Sequence, residues 1–280
     1  GFSDDFVRDA VAQETSENKT TFKFNASYRP TDDLLFYATA AQGFRVGGVN
    51  RPSISSEIQL LPSYNSDSLW NYELGMKSTL ADGRVNFNAS VYSLRWTDMQ
   101  VLSRDATGAF TFLTNAGKAK VDGVEVELAA QVSSQFEVSL GMSYQSAKLI
   151  EDAPDLGDPD SRALDGQRMP NVPKFQGSAS ATYRTPVSGD FELVMRGDLS
   201  WRGSTNTEFN PNNPLDVELD SYALMNVRVG VENEDWNVSL FVKNLFDTRA
   251  QIDAINGTQD PLAYVTVRPR TIGVSLTRNF

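Results

Sequence analysis

The sequence predicts an all-β protein, namely an antiparallel transmembrane β-barrel. Three observations lead to this fold class: hydrophobicity alternates with a period of two, short connections alternate with long ones, and aromatic residues gather near the ends of the alternating segments. The 280 residues include 16 Phe, 9 Tyr and 4 Trp in an otherwise polar chain. No apolar run approaches the roughly 20 residues that a membrane-spanning helix requires, so the sequence excludes a helical membrane protein.

The alternation of apolar and polar residues marks the strands. In the first segment Phe22 and Phe24 fall on one face, and the residues beside them are polar. Successive side chains of a strand point to opposite faces, so one face suits lipid and the other suits water. The same alternation recurs in segments 36–44, 70–76, 124–130, 136–144, 175–183, 191–201, 225–231 and 236–242. In segment 87–96 the apolar residues change parity between Val91 and Leu94, and we expect a β-bulge there.

The connections between these segments alternate in length. Short polar turns lie at 29–33, 81–83, 133–135, 186–190 and 233–235. Long polar connections lie at about 45–68, 97–118, 150–174, 203–218 and 247–264. Outer-membrane barrels have short periplasmic turns and long external loops, so the pattern predicts about eleven strands with the long connections outside the cell.

The odd number of strands has a consequence for closure. Single-chain bacterial barrels have an even number of strands, and a structure that spans lipid leaves no open strand edge. Residues 1–19 are polar and typical of an external loop, which makes the first strand run inward. We therefore expect that an N-terminal portion is missing, and that this portion of the protein does not fold by itself because two strand edges would be unpaired.

The composition excludes several classes of function. The chain has no histidine, so Ser-His-Asp hydrolysis and HExxH metalloproteolysis are impossible, and it has no cysteine for thiolate metal sites or disulfides. A net charge of -11 and scattered basic residues argue against nucleic acid as a partner. Paired carboxylates could support glycoside hydrolysis, but the acidic residues lie mostly in loops or on polar strand faces. We expect no enzyme, no catalytic residue, no bound metal and no cofactor.

Short motifs along the chain resemble a known family. They are YAT at 37–39, GFRVGG at 43–48, YELGMK at 72–77, NAGKA at 115–119, GVE at 123–125, PNVPK at 170–174 and NLFD at 244–247. The motifs stay in order across nearly the whole chain, and they resemble the barrel of the TonB-dependent receptors of the Gram-negative outer membrane.

The end of the sequence carries the most specific part of this resemblance. Ile272, Val274 and Leu276 alternate with polar residues before a terminal Phe280. The resemblance implies that these four residues form the signal that the barrel-assembly machinery reads. Arg278 departs from the small or apolar residue usual on this face, although a long Arg side chain near the interface can reach water.

The resemblance also implies the architecture and function of a whole receptor. Family members have about 22 strands around an N-terminal plug, so residues 1–280 are expected to be the C-terminal part of the barrel, without the plug, the TonB box and the first half of the barrel. The implied function is active, TonB-energised uptake of a scarce nutrient, mainly a ferric siderophore. The implied partners are the lipid bilayer with its lipopolysaccharide, the TonB inner-membrane complex through the missing plug, the barrel-assembly machinery and the ferric siderophore.

Two other classes of function remain open on the sequence alone. A passive outer-membrane porin or channel would share the alternation, the turns and the terminal Phe. A soluble all-β binding protein would use the aromatic faces as a core, but exposed aromatic bands of this size would aggregate in water.

The sequence does not identify individual ligand-binding residues, and we expect the ligand contacts in the five long connections. An acidic run could bind Ca²⁺, but its spacing fits no EF-hand, and a solvated external loop is the favoured interpretation. The run consists of Glu151, Asp152, Asp155, Asp158, Asp160 and Asp165. Charges on the polar strand faces could guide a substrate, but a polar wall that contacts a plug is favoured. These charged residues are Lys77, Glu125, Glu127, Glu137 and Lys243.

Overall fold

Eleven long strands form one antiparallel sheet in the computed structural model. The structure describes residues 17–50, 61–104, 111–153, 162–255 and 262–279. The long strands are β1 (Lys23–Thr31), β2 (Leu34–Arg45), β5 (Asp67–Leu80), β6 (Val85–Thr97), β9 (Ala119–Gln131), β10 (Phe136–Leu149), β11 (Phe175–Ser188), β12 (Phe191–Arg202), β15 (Tyr222–Glu232), β16 (Trp236–Lys243) and β19 (Thr271–Arg278). The predicted strand number and antiparallel arrangement are confirmed. Each long strand pairs with the next one along the chain, and β1 and β19 are the two edges of the sheet.

The long connections all leave the same end of the sheet, here called the loop end, and the short turns lie at the opposite turn end. The loops are L1 (46–66), L2 (98–118), L3 (150–174), L4 (203–221) and L5 (244–270). Their positions agree with the prediction, but four of them contain hairpins that the sequence analysis missed. The hairpins are β3 (Gly48–Val49) with β4 (Ser63–Tyr64), β7 (Gln100–Arg104) with β8 (Thr111–Asn115), β13 (Thr205–Asn206) with β14 (Glu218–Leu219), and β17 (Gln251–Ile255) with β18 (Ala263–Thr266). Within the described ranges, no helix is long and apolar enough to cross a membrane.

The register confirms that the sheet has one apolar and one polar face. Val126 of β9 pairs with Met142 of β10, and Glu125 pairs with Ser143, so apolar residues oppose apolar ones and polar residues oppose polar ones. The same parity continues across the sheet, since Val124 also pairs with Val91 of β6. The apolar face exposes many large side chains, which suits a face that contacts lipid.

The expected β-bulge in segment 87–96 is wrong. β6 pairs with β5 and β9 without a register shift from Val85 to Trp96. The parity changes for a different reason: above Val91 the outward positions become polar, and Trp96 turns inward beneath the loops. In the eleven-stranded sheet, register shifts lie instead near the turn end, in β1 between Tyr28 and Thr31 and in β11 at 186–188. Both places contain a proline, which strands accommodate at such irregularities.

Aromatic rings lie across glycines of the neighbouring strand at four places in the sheet. A Cβ atom built on any of these glycines would overlap the ring of its cross-strand partner. The ring covers the exposed backbone of the glycine, and the glycine gives the ring room to lie flat. The pairs are Tyr37 with Gly75, Tyr92 with Gly123, Trp201 with Gly177 and Phe241 with Gly273.

We expect Gly123→Ala to destabilise the protein by about 1–2 kcal/mol, because overpacking forces a neighbouring side chain from its rotamer. The Tyr92 ring would move and lose its 3.1 Å hydrogen bond to Gln145 Oε1. Gly141→Ala is the matched control, since the nearest atom to its new Cβ is Ser178 Oγ at 3.7 Å. Urea unfolding of the full-length receptor in detergent measures both variants. Equal losses in the two would contradict this role of the Tyr92 ring.

Candidate functional site

Buried apolar residues of the described structure gather in the loops at the end of the sheet. A buried apolar cluster there contains Met99, Ala116, Ala119, Leu149 and Ala163. Leu149 is fully buried and Met99 is 2% exposed. Five partly buried residues pack against the cluster, namely Trp96, Val101, Ala153, Met169 and Phe209. Because these residues come from L2, L3, L4 and the adjoining strand ends, the loops share one core.

Asp67 is a buried carboxylate at the point where three strands end. Its Oδ1 accepts a hydrogen bond from the Arg45 backbone N–H at 3.1 Å. Its Oδ2 accepts hydrogen bonds from Arg45 Nε at 2.9 Å, Trp96 Nε1 at 3.0 Å and the Gln100 backbone N–H at 3.1 Å. The Arg45 guanidinium also lies 5.0 Å from the Trp96 ring centroid. Asp67 therefore joins the ends of β2, β5 and β6 to the beginning of β7.

Amide side chains connect L1 to L2. Asn50 Nδ2 donates to the Leu113 carbonyl at 2.7 Å, and Asn50 Oδ1 accepts from the Leu113 backbone N–H at 2.8 Å. Asn115 and Asn65 form a second reciprocal pair, with bonds of 2.8 and 3.0 Å. Gln100 Nε2 donates to the Asn65 carbonyl at 2.9 Å. These contacts fix the two hairpins against each other because an Asn side chain satisfies both backbone groups of its partner.

L3 and L4 are connected in a similar way. The Asn171 backbone N–H donates to the Asn206 carbonyl at 2.8 Å, and Arg202 Nη2 donates to the Asn171 carbonyl at 2.8 Å. Asn210 Nδ2 donates to the Arg162 carbonyl at 3.0 Å, and its side chain is buried. Together with the apolar cluster, these bonds make the described residues of L1 to L4 a continuous layer, here called the loop platform.

L5 is anchored by Asn244, which begins the NLFD motif. Asn244 Nδ2 donates to the carbonyls of Thr248 and Arg268, both at 2.9 Å, and Asn244 Oδ1 accepts from the Thr248 backbone N–H at 2.9 Å. Asn244 is buried and has a φ of 51°, a left-handed conformation that Asn tolerates better than most residues. The motif therefore holds together the two ends of the loop that precedes β19.

The last residue of this motif carries a stabilised charge. The Arg270 backbone N–H donates to Asp247 Oδ1 at 2.9 Å, and Arg249 Nη2 pairs with Asp247 Oδ2 at 2.9 Å. These two contacts, of which the backbone bond is the stronger cause, hold the pKa of Asp247 below its usual value. Asp247 is therefore ionised throughout the neutral range.

The acidic run in L3 is partly engaged in ion pairs. Glu151 pairs with Lys118 at 2.7 Å, and this contact raises the pKa of Lys118. Asp152 lies 3.6 Å from Arg162 and accepts a 2.7 Å hydrogen bond from the Asp165 backbone N–H. The other three acidic residues, Asp155, Asp158 and Asp160, lie outside the described residues. No cluster of potential metal ligands occurs in the ranges that the structure describes.

The charged residues that were predicted for the polar strand faces lie on the polar face of the sheet. Pairings put Lys77 opposite Asn88 and Asn88 opposite Glu127, whose Oε2 accepts a 3.2 Å hydrogen bond from Asn88 Nδ2. Further along, Arg196 pairs with Asp198 at 2.7 Å beside a cavity of about 210 Å³ on the same face. The interpretation of these charges as a wall or as a guide for substrate stays a prediction.

The residues proposed as the barrel-assembly signal lie on the edge strand β19. Ile272, Val274 and Leu276 share the apolar face, and each is about two-thirds exposed or more, at 72, 67 and 66%. Phe280 lies outside the described residues. Arg278 lies over the Trp236 ring at 5.0 Å from its centroid, near the turn end. The role of these residues in assembly stays a prediction.

The sheet, its two faces and its two unlike ends define an outer-membrane β-barrel protein. The family model "TonB dependent receptor-like, beta-barrel" matches residues 1–245. The chain therefore belongs to the TonB-dependent receptor family, which confirms the resemblance and places it in the outer membrane of a Gram-negative bacterium. The relatives are transport receptors.

Three comparisons describe these relatives. The chain is 25% identical over 253 residues to the probable TonB-dependent siderophore receptor PiuA of Acinetobacter baumannii, covering 86% of this chain and 32% of PiuA. It is 26% identical over 272 residues to the pesticin receptor of Yersinia pestis, covering 95% and 37%. The crystal structure of the ferric yersiniabactin uptake receptor FyuA from Yersinia pestis superposes with a TM-score of 0.73 at 25% identity, covering 92% of this chain and 37% of FyuA. The chain thus spans about a third of the length of these relatives.

Proposed function

We propose that this chain is the external-loop and barrel portion of a receptor that imports a ferric siderophore across the outer membrane with energy from TonB. The loop platform is the observation that carries the proposal. L2, L3 and L4 share an apolar core, and hydrogen bonds connect L1 to L2 and L3 to L4, so the four loops present a preorganised surface above a polar sheet face. A preorganised surface loses less entropy on binding a ligand than free loops do. In this proposal the protein binds and transports, and no residue acts as a catalytic group.

The eleven strands are proposed to be the C-terminal part of a larger barrel that encloses a plug. In the described residues β1 and β19 are both unpaired at their outer edges, which lipid does not tolerate. Further strands of the whole receptor would cover both edges, and the polar face would then line a lumen and contact the plug. TonB would act through that plug, and substrates would first meet the loop platform.

Uptake of radioactive iron tests the proposal in cells that express the full-length receptor. The probes are ferric yersiniabactin and ferric pyoverdine, because receptors for these chelates are among the structural relatives. We expect uptake of at least one of them, and its loss when TonB is deleted. Equal uptake without TonB would favour a passive channel. Failure of both probes with a correctly assembled receptor would contradict a siderophore of these two types.

A variant of the loop platform tests whether the contacts between L1 and L2 matter for binding of the transported chelate. Asn50→Ala combined with Asn115→Ala removes the reciprocal bonds between L1 and L2. We expect about five- to ten-fold weaker binding of the transported chelate, since the two hairpins lose their preorganised position. Asn86→Ala near the turn end is the matched control and should leave binding unchanged. Equal binding by all three proteins would remove L1 and L2 from the proposed binding surface.

A further inference from the structure

A polar cavity of about 210 Å³ lies on the polar face of the sheet, where strands β10, β11, β12 and β15 run side by side. Ser178 in its wall lies three residues from the loop end of β11 at Phe175, which is about 10 Å along a strand. The cavity therefore lies just below the loop platform, on the face that would line the lumen of a closed barrel. Its four hydroxyl side chains are Ser139, Ser178, Ser180 and Ser200.

The edge of the cavity is a step in side-chain length between β9 and β10. Glu127 of β9 pairs with Gly141 of β10, and Gly141 pairs with Ser178 of β11. In the next row towards the loop end, Glu125 pairs with Ser143. Directly paired residues point to the same face of an antiparallel sheet, so the polar face drops from long carboxylates on β9 to glycine and serine on β10 and β11. A molecule that moves along this face has room at the step, and the carboxylates beside it repel an anion towards the cavity.

The hydroxyl groups of the cavity are only partly used by the protein. Ser139 Oγ and Ser180 Oγ share one hydrogen bond of 2.7 Å. Ser178 and Ser200 are directly paired, and in the part of the chain that the structure describes their hydroxyls bond to no other group. Each hydroxyl offers one donor and two acceptor positions. The cavity can therefore form several hydrogen bonds to the oxygen atoms of a molecule that enters it.

Guanidinium groups surround the cavity and outnumber the carboxylates near them. Arg196 pairs with Asp198 at 2.7 Å, and Arg228 of β15 lies directly opposite Arg196. Arg202 is the last residue of β12 on the same face, and it bonds to a carbonyl of L3. Glu137 lies in the same row as Arg196, with one strand between them. Within the described ranges, no ion pair joins Arg202 or Arg228 to a carboxylate. The excess of positive charge therefore favours anionic oxygen atoms in the cavity.

We propose that this cavity is a second binding site, inside the lumen, for anionic oxygen-bearing groups of the transported chelate. The inference rests on the proposed transport function and names where a molecule that leaves the loop platform is held next. Arg196, Arg202 and Arg228 attract the charged oxygens, and Ser178 and Ser200 donate hydrogen bonds to them. Sites that enclose a whole drug-sized ligand have volumes of about 300–1,000 Å³, so this smaller cavity takes one group of the chelate and not the whole molecule.

The charge of the cavity is tested by Arg228→Gln in the full-length receptor. The probe is whichever of ferric yersiniabactin and ferric pyoverdine the unsubstituted receptor imports. We expect the KM for uptake to rise about three- to ten-fold, because a cation beside the path raises the local concentration of an anion. Arg228→Lys keeps the charge and should import as the unsubstituted receptor does. Lys23→Gln makes the same change in charge on the polar face of β1 and should leave uptake unchanged. Equal effects of Arg228→Gln and Lys23→Gln would overturn the proposal.

Thiol labelling of Ser178→Cys in the full-length receptor tests the position of the site. Cysteine is close to serine in size, and the 280 residues contain no cysteine of their own. The reagent is sulfonatoethyl methanethiosulfonate, which attaches an anionic group to the thiol through a disulfide. We expect labelling to lower uptake of the same chelate about ten-fold, because an anion fixed in the cavity repels the oxygens of the chelate. Binding to the loop platform, measured in cells without TonB, should stay unchanged, and reduction of the disulfide should restore uptake.

Ser27→Cys is the matched control, because Ser27 is an exposed serine on the same polar face but on β1. Mass spectrometry verifies the labelling of both variants, and the unsubstituted receptor treated with the reagent gives the baseline. We expect the labelled control to import the chelate at the baseline rate. Equal loss in both variants, full uptake by the labelled Ser178→Cys receptor, or no labelling of that receptor would overturn the proposal. Absence of uptake by the unsubstituted receptor would instead contradict the transport proposal, so the two failures are distinguishable.

Discussion

Substitution of Asp67 by alanine is expected to destabilise the external end of the protein by about 2–4 kcal/mol, since several buried donors lose their common acceptor. The Arg45 guanidinium, the Trp96 indole and the Gln100 backbone N–H all point at this carboxylate. Arg45 is half exposed and can turn to water, which keeps the expected loss below that of a fully buried ion pair. Urea unfolding and limited proteolysis of the full-length receptor measure the change, and L1 and L2 should be cleaved faster.

Two further variants define the cause of the Asp67 effect. Asp67→Asn keeps the shape of the side chain but replaces one acceptor oxygen with a donor, so we expect a loss close to that of alanine. Asp32→Ala is the control, because Asp32 is exposed in a short turn. Substitutions at such surface positions usually change the free energy of unfolding by less than about 0.5 kcal/mol. If Asp67→Asn matched the unsubstituted receptor, the negative charge would have no part in holding the strand ends together.

Substitution of Asn244 by alanine is expected to cost about 2–4 kcal/mol and to release L5. The variant leaves the carbonyls of Thr248 and Arg268 and the Thr248 N–H without their side-chain partner. It also places alanine at a φ of 51°, where a side chain with a Cβ but no local hydrogen bond is disfavoured. Hydrogen exchange of the full-length receptor should show faster exchange in L5 and in β19, which follows it.

Asn244→Gly separates the two contributions, because glycine accepts the left-handed conformation but offers no hydrogen bonds. We expect Asn244→Gly to recover only the part of the stability loss that comes from placing alanine in the left-handed conformation. Asn212→Ala, at an exposed position of L4, should leave stability and exchange unchanged. An unchanged exchange rate in L5 of the alanine variant would show that the loop is held mainly by other contacts.

The long strands and their two faces could be predicted from sequence because apolar and polar residues alternate with a period of two in each segment. The pairing of Glu125 with Ser143 and of Val126 with Met142 follows from that alternation. The ends of the loops could be predicted for the same reason, since the alternation stops there. The parity change after Val91 was interpreted as a bulge because a sequence does not show where a strand leaves the membrane while it continues as a strand.

The organisation of the loops could not be predicted. The hairpins within them have strands of two to five residues, too short to carry a periodic pattern. Met99 and Leu149 are isolated apolar residues at loop borders, and their packing depends on contacts between L2 and L3. Asp67 has no distinctive neighbours in sequence, and its partners are 22 to 33 positions away. The signal that existed came from motifs that resemble a family: Asn244 lies in NLFD, Asn115 in NAGKA and Asn171 in PNVPK.

The apolar core shared by L2, L3 and L4 restricts how this receptor can diversify. Loops of most proteins accept insertions and sequence drift with little loss of stability. Here a change at Met99 or Leu149 would disturb three loops at once, so variation is confined to side chains that point away from that core. A new ligand preference would therefore arise through exchanges on the solvent side of the hairpins, while the length and register of their bases stay fixed.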